Sequence, residues 1–269
     1  MKLRKCLAFF VRDFLWDLSY PLNFAWRFAS IMFTLITFYF LGRLLASGAS
    51  PHLAAYGGEY FPFVMVGLAL ASFQGVALTS ISYTISYGMY TGTLEAMLVT
   101  PTSLSTIIFS SVLYQFTTAL LEIGIYILFS AAFFGMVLGR ADLPAAGLLL
   151  LLTLLAHLPL GILSAGFLLL FKRGDPITAL LGHLSGLVAG VYFPIQVLPG
   201  WLQSVAQLLP FTHALEGLRQ AVLNGKGVTD LSFQIAVLGL FALALTPLSL
   251  AVFAWTVRQA KRLGTLSQF

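Results

Sequence analysis

One carboxyl group stands out among the residues that could do chemistry, because it lies within a long apolar run. Glu122 sits midway along residues 104–138, where an ionised carboxylate would cost at least ~2.5 kcal/mol on membrane-insertion scales. It could contact a substrate or a proton, or it could be neutral or hydrogen-bonded to a neighbouring helix. The histidines lack the paired spacing of metal ligands, so we assign them no catalytic or metal role. They are His52, His157, His183 and His213.

Small and amide side chains suggest a second kind of site, a path or a packing face between helices. Gly182, Gly186 and Gly190 recur every four residues and would give one smooth helical face that a second helix can approach closely. That face could be internal packing, or it could lie near a transport route or a second copy of the chain. Gln74 could line the same route or simply bond between helices.

The sequence contains no phosphate-binding loop of the form GxxxxGK[ST]. The nearest candidate, Gly225-Lys226-Gly227, lacks both the preceding glycine and the following Ser or Thr. We therefore expect no ATP hydrolysis by this chain and no catalytic residue, cofactor or metal bound to it.

Composition predicts the elements that hold these residues. Of 269 residues, 59% are hydrophobic and only 9% are charged, with a mean hydropathy of +0.95, as expected of an all-α, multi-pass membrane protein. The net charge of +5 does not indicate nucleic-acid binding, because the basic residues flank apolar spans, where they meet lipid head groups. We expect one transmembrane domain over residues 1–269.

Six apolar runs are long enough to cross a bilayer, which takes ~20 residues of helix. They are residues 22–46, 60–83, 104–138, 145–171, 177–197 and 231–257.

The segment before the last span, residues 192–226, is apolar but broken by Pro194, Pro199 and Pro210. Its helical pieces are too short to cross, so we expect a re-entrant helical hairpin, which membranes tolerate where the backbone is buried in protein or lines a cavity. Trp201 suits an interfacial position. Glu216 and Arg219 are three residues apart and are expected to pair on the outer rim of the hairpin, or to form an exit gate.

Charge predicts the orientation. Ten basic residues flank the even-numbered connections and the termini, whereas Arg43, Arg140, Arg219 and Lys226 lie on the other side. The positive-inside rule then places both termini in the cytoplasm and the hairpin outside. If the hairpin crossed completely, the basic residues of the tail would lie outside, against the rule.

Residues 1–20 predict an amphipathic helix ahead of the first span. Leu3, Leu7, Phe10 and Phe14 recur at spacings of three and four residues, and the pattern ends near Pro21. Such a helix lies in the cytoplasmic interface, as an anchor or as a lever against a cytoplasmic partner.

The predicted cytoplasmic loop at residues 86–105 contains a short helical pattern. Thr91 or Thr93 can cap it, Glu95 would lie in its first turn, and Pro101 would end it. Leu94 belongs to a small apolar face that could dock on a partner, although the loop could also be a tight turn on the membrane.

Two stretches carry a resemblance to a known family. TGTLEAMLVTPTS, residues 91–103, resembles the cytoplasmic coupling loop of ABC type 2 exporter permeases. YFPIQVLPGW followed by LLPFTHALEGLRQAVLNG resembles the signature of that family before the last span. The order of parts is also similar along nearly all of the chain.

The resemblance implies a permease subunit of an ABC exporter in a bacterial-type inner or cytoplasmic membrane. Its partners would be a second permease copy, as a homodimer, and two copies of an ATPase subunit that binds ATP and Mg. The substrate would be amphipathic, lipid-linked, glycan or drug-like. The coupling element carried over from the family consists of Thr91, Gly92, Thr93, Leu94, Glu95 and Pro101.

Two other classes compete with this interpretation. An intramembrane lipid-modifying enzyme could use Glu122 and a histidine, but no cluster of Asp, Glu or His recurs at one membrane depth. An ion-coupled secondary carrier would show inverted repeats and more than one buried charge, and neither is evident.

Overall fold

The computed structural model describes residues 2–45, 51–92, 104–171 and 176–262, and all regular structure in these ranges is helical. The α-helices, in chain order, are α1 Lys2–Ser19, α2 Pro21–Leu45, α3 Tyr60–Tyr90, α4 Leu104–Phe134, α5 Leu143–Phe171, α6 Pro176–Val188, α7 Gly200–Gln207, α8 Pro210–Leu223 and α9 Ser232–Arg262. Short 3-10 helices occupy Pro51–Tyr56 and Ile195–Val197.

Five of the described helices, α2, α3, α4, α5 and α9, are long and apolar enough to cross a membrane. The all-helical, multi-pass prediction is therefore confirmed, but the predicted span at residues 177–197 is not among these five. It contains α6, which has 13 residues and a length of about 20 Å. The helix ends at Val188, and the chain then turns through Gly190, whose φ is 88° and belongs to the left-handed region that favours glycine.

The predicted amino-terminal helix forms as α1, and Pro21 begins the next helix because its missing N–H is not needed at a first helical position. One face of α1 packs on α4. The Tyr114 hydroxyl donates to Asp17 Oδ2 at 2.6 Å, and the Phe10 and Tyr114 rings meet edge to face at 5.2 Å. Leu7 and Phe14 are exposed, so an apolar part of α1 faces away from the bundle.

Helix α3 is the centre of the bundle. It packs against α4, α5 and α8, and the side chains of Phe63, Leu70 and Phe73 are completely or almost completely buried. By contrast, few residues of α2 and α9 are buried, as expected where lipid surrounds part of the apolar surface. The first turns of this central helix hold the site described next.

Candidate functional site around Arg219

The site is built on α8, a short helix that the bundle encloses. Pro210 occupies its first turn, and the Thr212 hydroxyl donates to the Ala206 carbonyl at 2.6 Å, which ties α8 to the preceding α7. Helix α8 packs against α3, α5 and α9, so most of its residues are buried. Any charged side chain on its inner face must find its partners inside the protein.

Arg219 is that side chain, and only 3% of it is exposed. Its guanidinium donates to three backbone carbonyls: Nε to Phe63 O at 3.1 Å, Nη1 to Gly190 O at 2.9 Å and Nη2 to Val191 O at 2.9 Å. The planar fork of an arginine suits such a divergent set of acceptors, which one ammonium could not match.

Two features of α3 let the guanidinium fit. The guanidinium lies over the Phe63 ring, with Arg219 Cζ 3.5 Å from the ring centroid, which is a cation–π arrangement. Gly67 supplies the space beside it, because a Cβ at this position would lie 2.7 Å from both Arg219 Nη2 and the Val191 carbonyl oxygen. The close approach therefore requires a residue without a side chain at position 67.

A carboxylate next to Arg219 is held by other groups. The Tyr56 hydroxyl donates to Glu216 Oε2 at 2.6 Å, and Gln220 Nε2 donates to Glu216 Oε1 at 3.0 Å. Burial, and then the bond to Glu216, raise the pKa of Tyr56, so its hydroxyl stays protonated. Burial lowers the pKa of Arg219 to about 9, although Tyr56 and Glu216 nearby oppose this, and its charge is therefore retained at neutral pH.

We call Tyr56, Phe63, Gly190, Val191, Glu216 and Arg219 the arginine cluster. It joins the Pro51–Tyr56 turn, the first turn of α3, the turn after α6, and α8. It lies about 40 Å from the other end of α3 at Tyr90, given a rise of about 1.5 Å per residue. The hydrogen bonds of the arginine cluster join these four segments to one another.

The family of the chain follows from a comparison of its sequence with known families. The family described as ABC-2 family transporter protein matches residues 49–251, a range that includes α3 to α8 and the arginine cluster. The chain belongs to the ABC-2 transporter family. Members of the ABC-2 permease family are transmembrane transport subunits.

A curated relative supports the ABC-2 membership. The chain is 31% identical over 132 residues to the linearmycin resistance permease protein LnrN of Bacillus subtilis (strain 168). The matched region covers 49% of this chain and 34% of the relative, so the chain spans about a third of the length of that protein.

Within this ABC-2 permease, the predicted pairing of Glu216 with Arg219 on an exposed rim is wrong. Arg219 is buried and points to backbone carbonyls, whereas Glu216 bonds to Tyr56 and Gln220. The spacing of three residues permits an ion pair, but the three carbonyls of α3 and the turn after α6 supply more bonds. The charge of Arg219 therefore serves internal packing.

The other predicted hairpin residues of the permease lie where the helices break. Pro194 and Pro199 have extended backbone on either side of the Ile195–Val197 turn, and Pro210 begins α8. Trp201, in α7, is 71% exposed. The prolines thus separate two short helices, as their fixed φ predicts.

The glycine face of the permease is shorter than predicted. Gly182 and Gly186 lie in α6, and a Cβ on either would meet no heavy atom of the described chain within 4 Å. Gly190 lies beyond the helix, and its carbonyl binds Arg219, so its inclusion in the face is wrong. Gln74 is buried in α3 at 3% exposure, but it is not brought together with the arginine cluster.

Glu122 bonds to a neighbouring helix of the permease. Arg27 Nη2, on α2, donates to Glu122 Oε2 at 3.1 Å, and the two side chains are 51% and 21% exposed. The geometry agrees with the hydrogen-bonded alternative for Glu122. Because 21% of the Glu122 side chain is exposed, its contact with a substrate stays a prediction.

The predicted coupling element lies largely outside the described residues. The N–H and the hydroxyl of Thr91 both donate to the Tyr87 carbonyl, at 3.0 and 2.8 Å, so Thr91 ends α3. Gly92 follows with a φ of 67°, which suits the residue after a helix. The structure does not describe the remaining predicted residues, which are Thr93, Leu94, Glu95 and Pro101.

Sequence reasoning missed Tyr56, Phe63 and Gly67 as parts of the site. One signal was present, because an arginine among the apolar residues of α8 needs acceptors if it is buried. Nothing local indicated which carbonyls would supply them, since Phe63 lies 156 residues away in sequence.

Proposed function

We propose that the chain is the permease subunit of an ABC exporter. It moves an amphipathic, drug-like compound outward, driven by ATP and Mg bound to two copies of a separate ATPase subunit, and it works as a homodimer. The family match over residues 49–251 carries the proposal. The resistance permease among its relatives favours a drug-like substrate over a lipid-linked or glycan one.

The proposed topology has six spans with both termini in the cytoplasm, and α6 begins the fifth span. The segment at residues 192–226 is a re-entrant hairpin at the outer surface. The geometry supports this arrangement, because the arginine cluster binds the hairpin to the first turn of α3, whereas Thr91 closes the opposite end of the same helix. The hairpin and the coupling loop therefore act at opposite ends of one buried helix.

This arrangement suggests how ATP hydrolysis on the cytoplasmic side could move the hairpin on the outer side. A partner that docks on residues 91–103 pushes on the ends of α3 and α4, which flank this loop. Helix α3 packs on α4, α5 and α8, so it transmits a displacement to the hairpin without bending. In this mechanism Arg219 is a positioning residue, and Glu95 and Pro101 shape the docking surface of the coupling loop.

The test is to copurify the chain with its candidate ATPase and to measure substrate-stimulated ATP hydrolysis in lipid. We expect a stable complex whose stimulation is lost in Glu95→Ala while basal hydrolysis by the ATPase persists. Lys226→Gln, on an exposed loop far from the coupling element, serves as the control. Failure of the wild-type chain to form the complex would overturn the proposal.

A further inference from the structure

A cavity of about 600 Å³ opens beside the hairpin, at the same end of the bundle as the arginine cluster. Its walls are the last turns of α2, the residues that begin α3, the end of α4 and residues 193–197. Its volume lies within the range of about 300–1,000 Å³ that is typical of small-molecule sites.

The cavity presents charges of both signs. Arg43 comes from α2 and Glu59 from the residue before α3, and both side chains are exposed. In the ranges that the structure describes, neither takes part in an ion pair. A ligand with one negative and one positive group would satisfy both charges, whereas a purely anionic ligand would be repelled by Glu59.

The remainder of the wall is aromatic. The Tyr39 ring packs against Phe134 at 4.9 Å and against Phe61 at 5.6 Å, and all three side chains line the cavity. Such a surface accepts a hydrocarbon chain, and tyrosine suits the boundary between hydrocarbon and head groups.

The depth of the cavity identifies the layer that it contacts. Arg43 follows Pro21, the first residue of α2, by about 33 Å of helix at about 1.5 Å per residue. The hydrocarbon core is about 30 Å thick. Arg43 and Glu59 therefore lie where lipid head groups lie, whichever side of the membrane this end faces.

We propose that this cavity binds one zwitterionic phospholipid. Its phosphate contacts Arg43, its ammonium group contacts Glu59, and the upper part of an acyl chain lies along the aromatic wall. The bound lipid would brace the end of α2, a helix with few buried residues, against the hairpin. This inference depends on neither the direction of transport nor the identity of the substrate.

Native mass spectrometry of the delipidated full chain tests it, with phosphatidylethanolamine and phosphatidylglycerol as probes. We expect phosphatidylethanolamine to bind more tightly. Arg43→Gln and Glu59→Gln should each weaken it roughly tenfold, which is about 1.4 kcal/mol. Arg140→Gln, another exposed arginine in a connecting segment, should leave the binding unchanged.

Two results would overturn the proposal. One is equal binding of phosphatidylethanolamine by all four proteins. The other is equal binding of both lipids with a loss in Arg43→Gln alone, which would mean a simple anion contact. Val197→Trp provides a test that leaves both charges intact, because Val197 lines the cavity and is 57% exposed. A bulky ring there should exclude the lipid, and unchanged binding would contradict the site.

Discussion

Two arginines of this permease illustrate opposite ways to place a charge in an apolar bundle. Arg219 is almost completely buried and donates to three backbone carbonyls in two other segments. Arg27 is half exposed and bonds to one side chain, Glu122. The number of acceptors and the loss of solvent determine how much the fold depends on each charge, so we expect large effects at the arginine cluster and small effects at the Arg27–Glu122 pair.

The largest effect should come from Arg219→Leu. The substitution leaves the carbonyls of Phe63, Gly190 and Val191 without their donor, which should lower the free energy of unfolding by about 3 kcal/mol. Arg219→Lys should recover only part of this loss, because an ammonium cannot span the three acceptors. Thermal unfolding in detergent measures both variants, with Lys226→Gln as control. Wild-type stability in Arg219→Leu would remove the distinction between the two arginines.

The second effect concerns the space that Arg219 occupies. In Gly67→Ala, the new Cβ would lie 2.7 Å from Arg219 Nη2 and from the Val191 carbonyl oxygen, so overpacking should cost about 1–3 kcal/mol. Gly75→Ala is the matched control on α3, because a Cβ there meets nothing within 4 Å, and it should be neutral or slightly stabilising. Thermal unfolding of the two alanine variants side by side makes the comparison. Equal stabilities of Gly67→Ala and Gly75→Ala would mean that the turn after α6 does not pack closely against α3 at Gly67.

Local features of this chain could be predicted from its sequence, whereas the contacts of Arg219 could not. Pro194, Pro199 and Pro210 act on their own backbone, and the amphipathic period of α1 is local, so the broken segment and the amino-terminal helix were predictable. The hydrogen-bond acceptors of the Arg219 side chain were not predictable, because they include carbonyls 156 and 29 residues away in sequence. The same tertiary contact explains why Gly190 was wrongly included in the glycine face. The period of four residues continues in the sequence to Gly190, but the helix ends before it.

A moderate effect should come from Tyr56→Phe. The hydroxyl donates to Glu216 at 2.6 Å, and its loss should cost about 1 kcal/mol, because Gln220 still donates to the carboxylate. A double-mutant cycle with Glu216→Ala isolates the bond, because alanine has no side-chain acceptor, and Tyr83→Phe, at an exposed tyrosine, is the control. Because the pKa of Tyr56 is raised, the coupling should persist into mildly alkaline solution. A coupling energy of zero would mean that the bond between Tyr56 and Glu216 does not stabilise the fold, and that only Arg219 and its three carbonyl acceptors do so.

The smallest effect should come from Glu122→Gln. Arg27 is half exposed, and the amide oxygen of glutamine can still accept its hydrogen bond, so stability should fall by no more than about 0.5–1 kcal/mol. In the exporter that we propose, export should stay near the wild-type rate, because transport driven by ATP needs no proton relay through this carboxyl group. The measurement is export by Glu122→Gln beside Arg27→Gln in membranes with equal amounts of assembled complex. If Glu122→Gln alone abolished export with assembly intact, we would infer that Glu122 contacts the substrate. Transport would then depend on the partly exposed Glu122 and not on the buried Arg219.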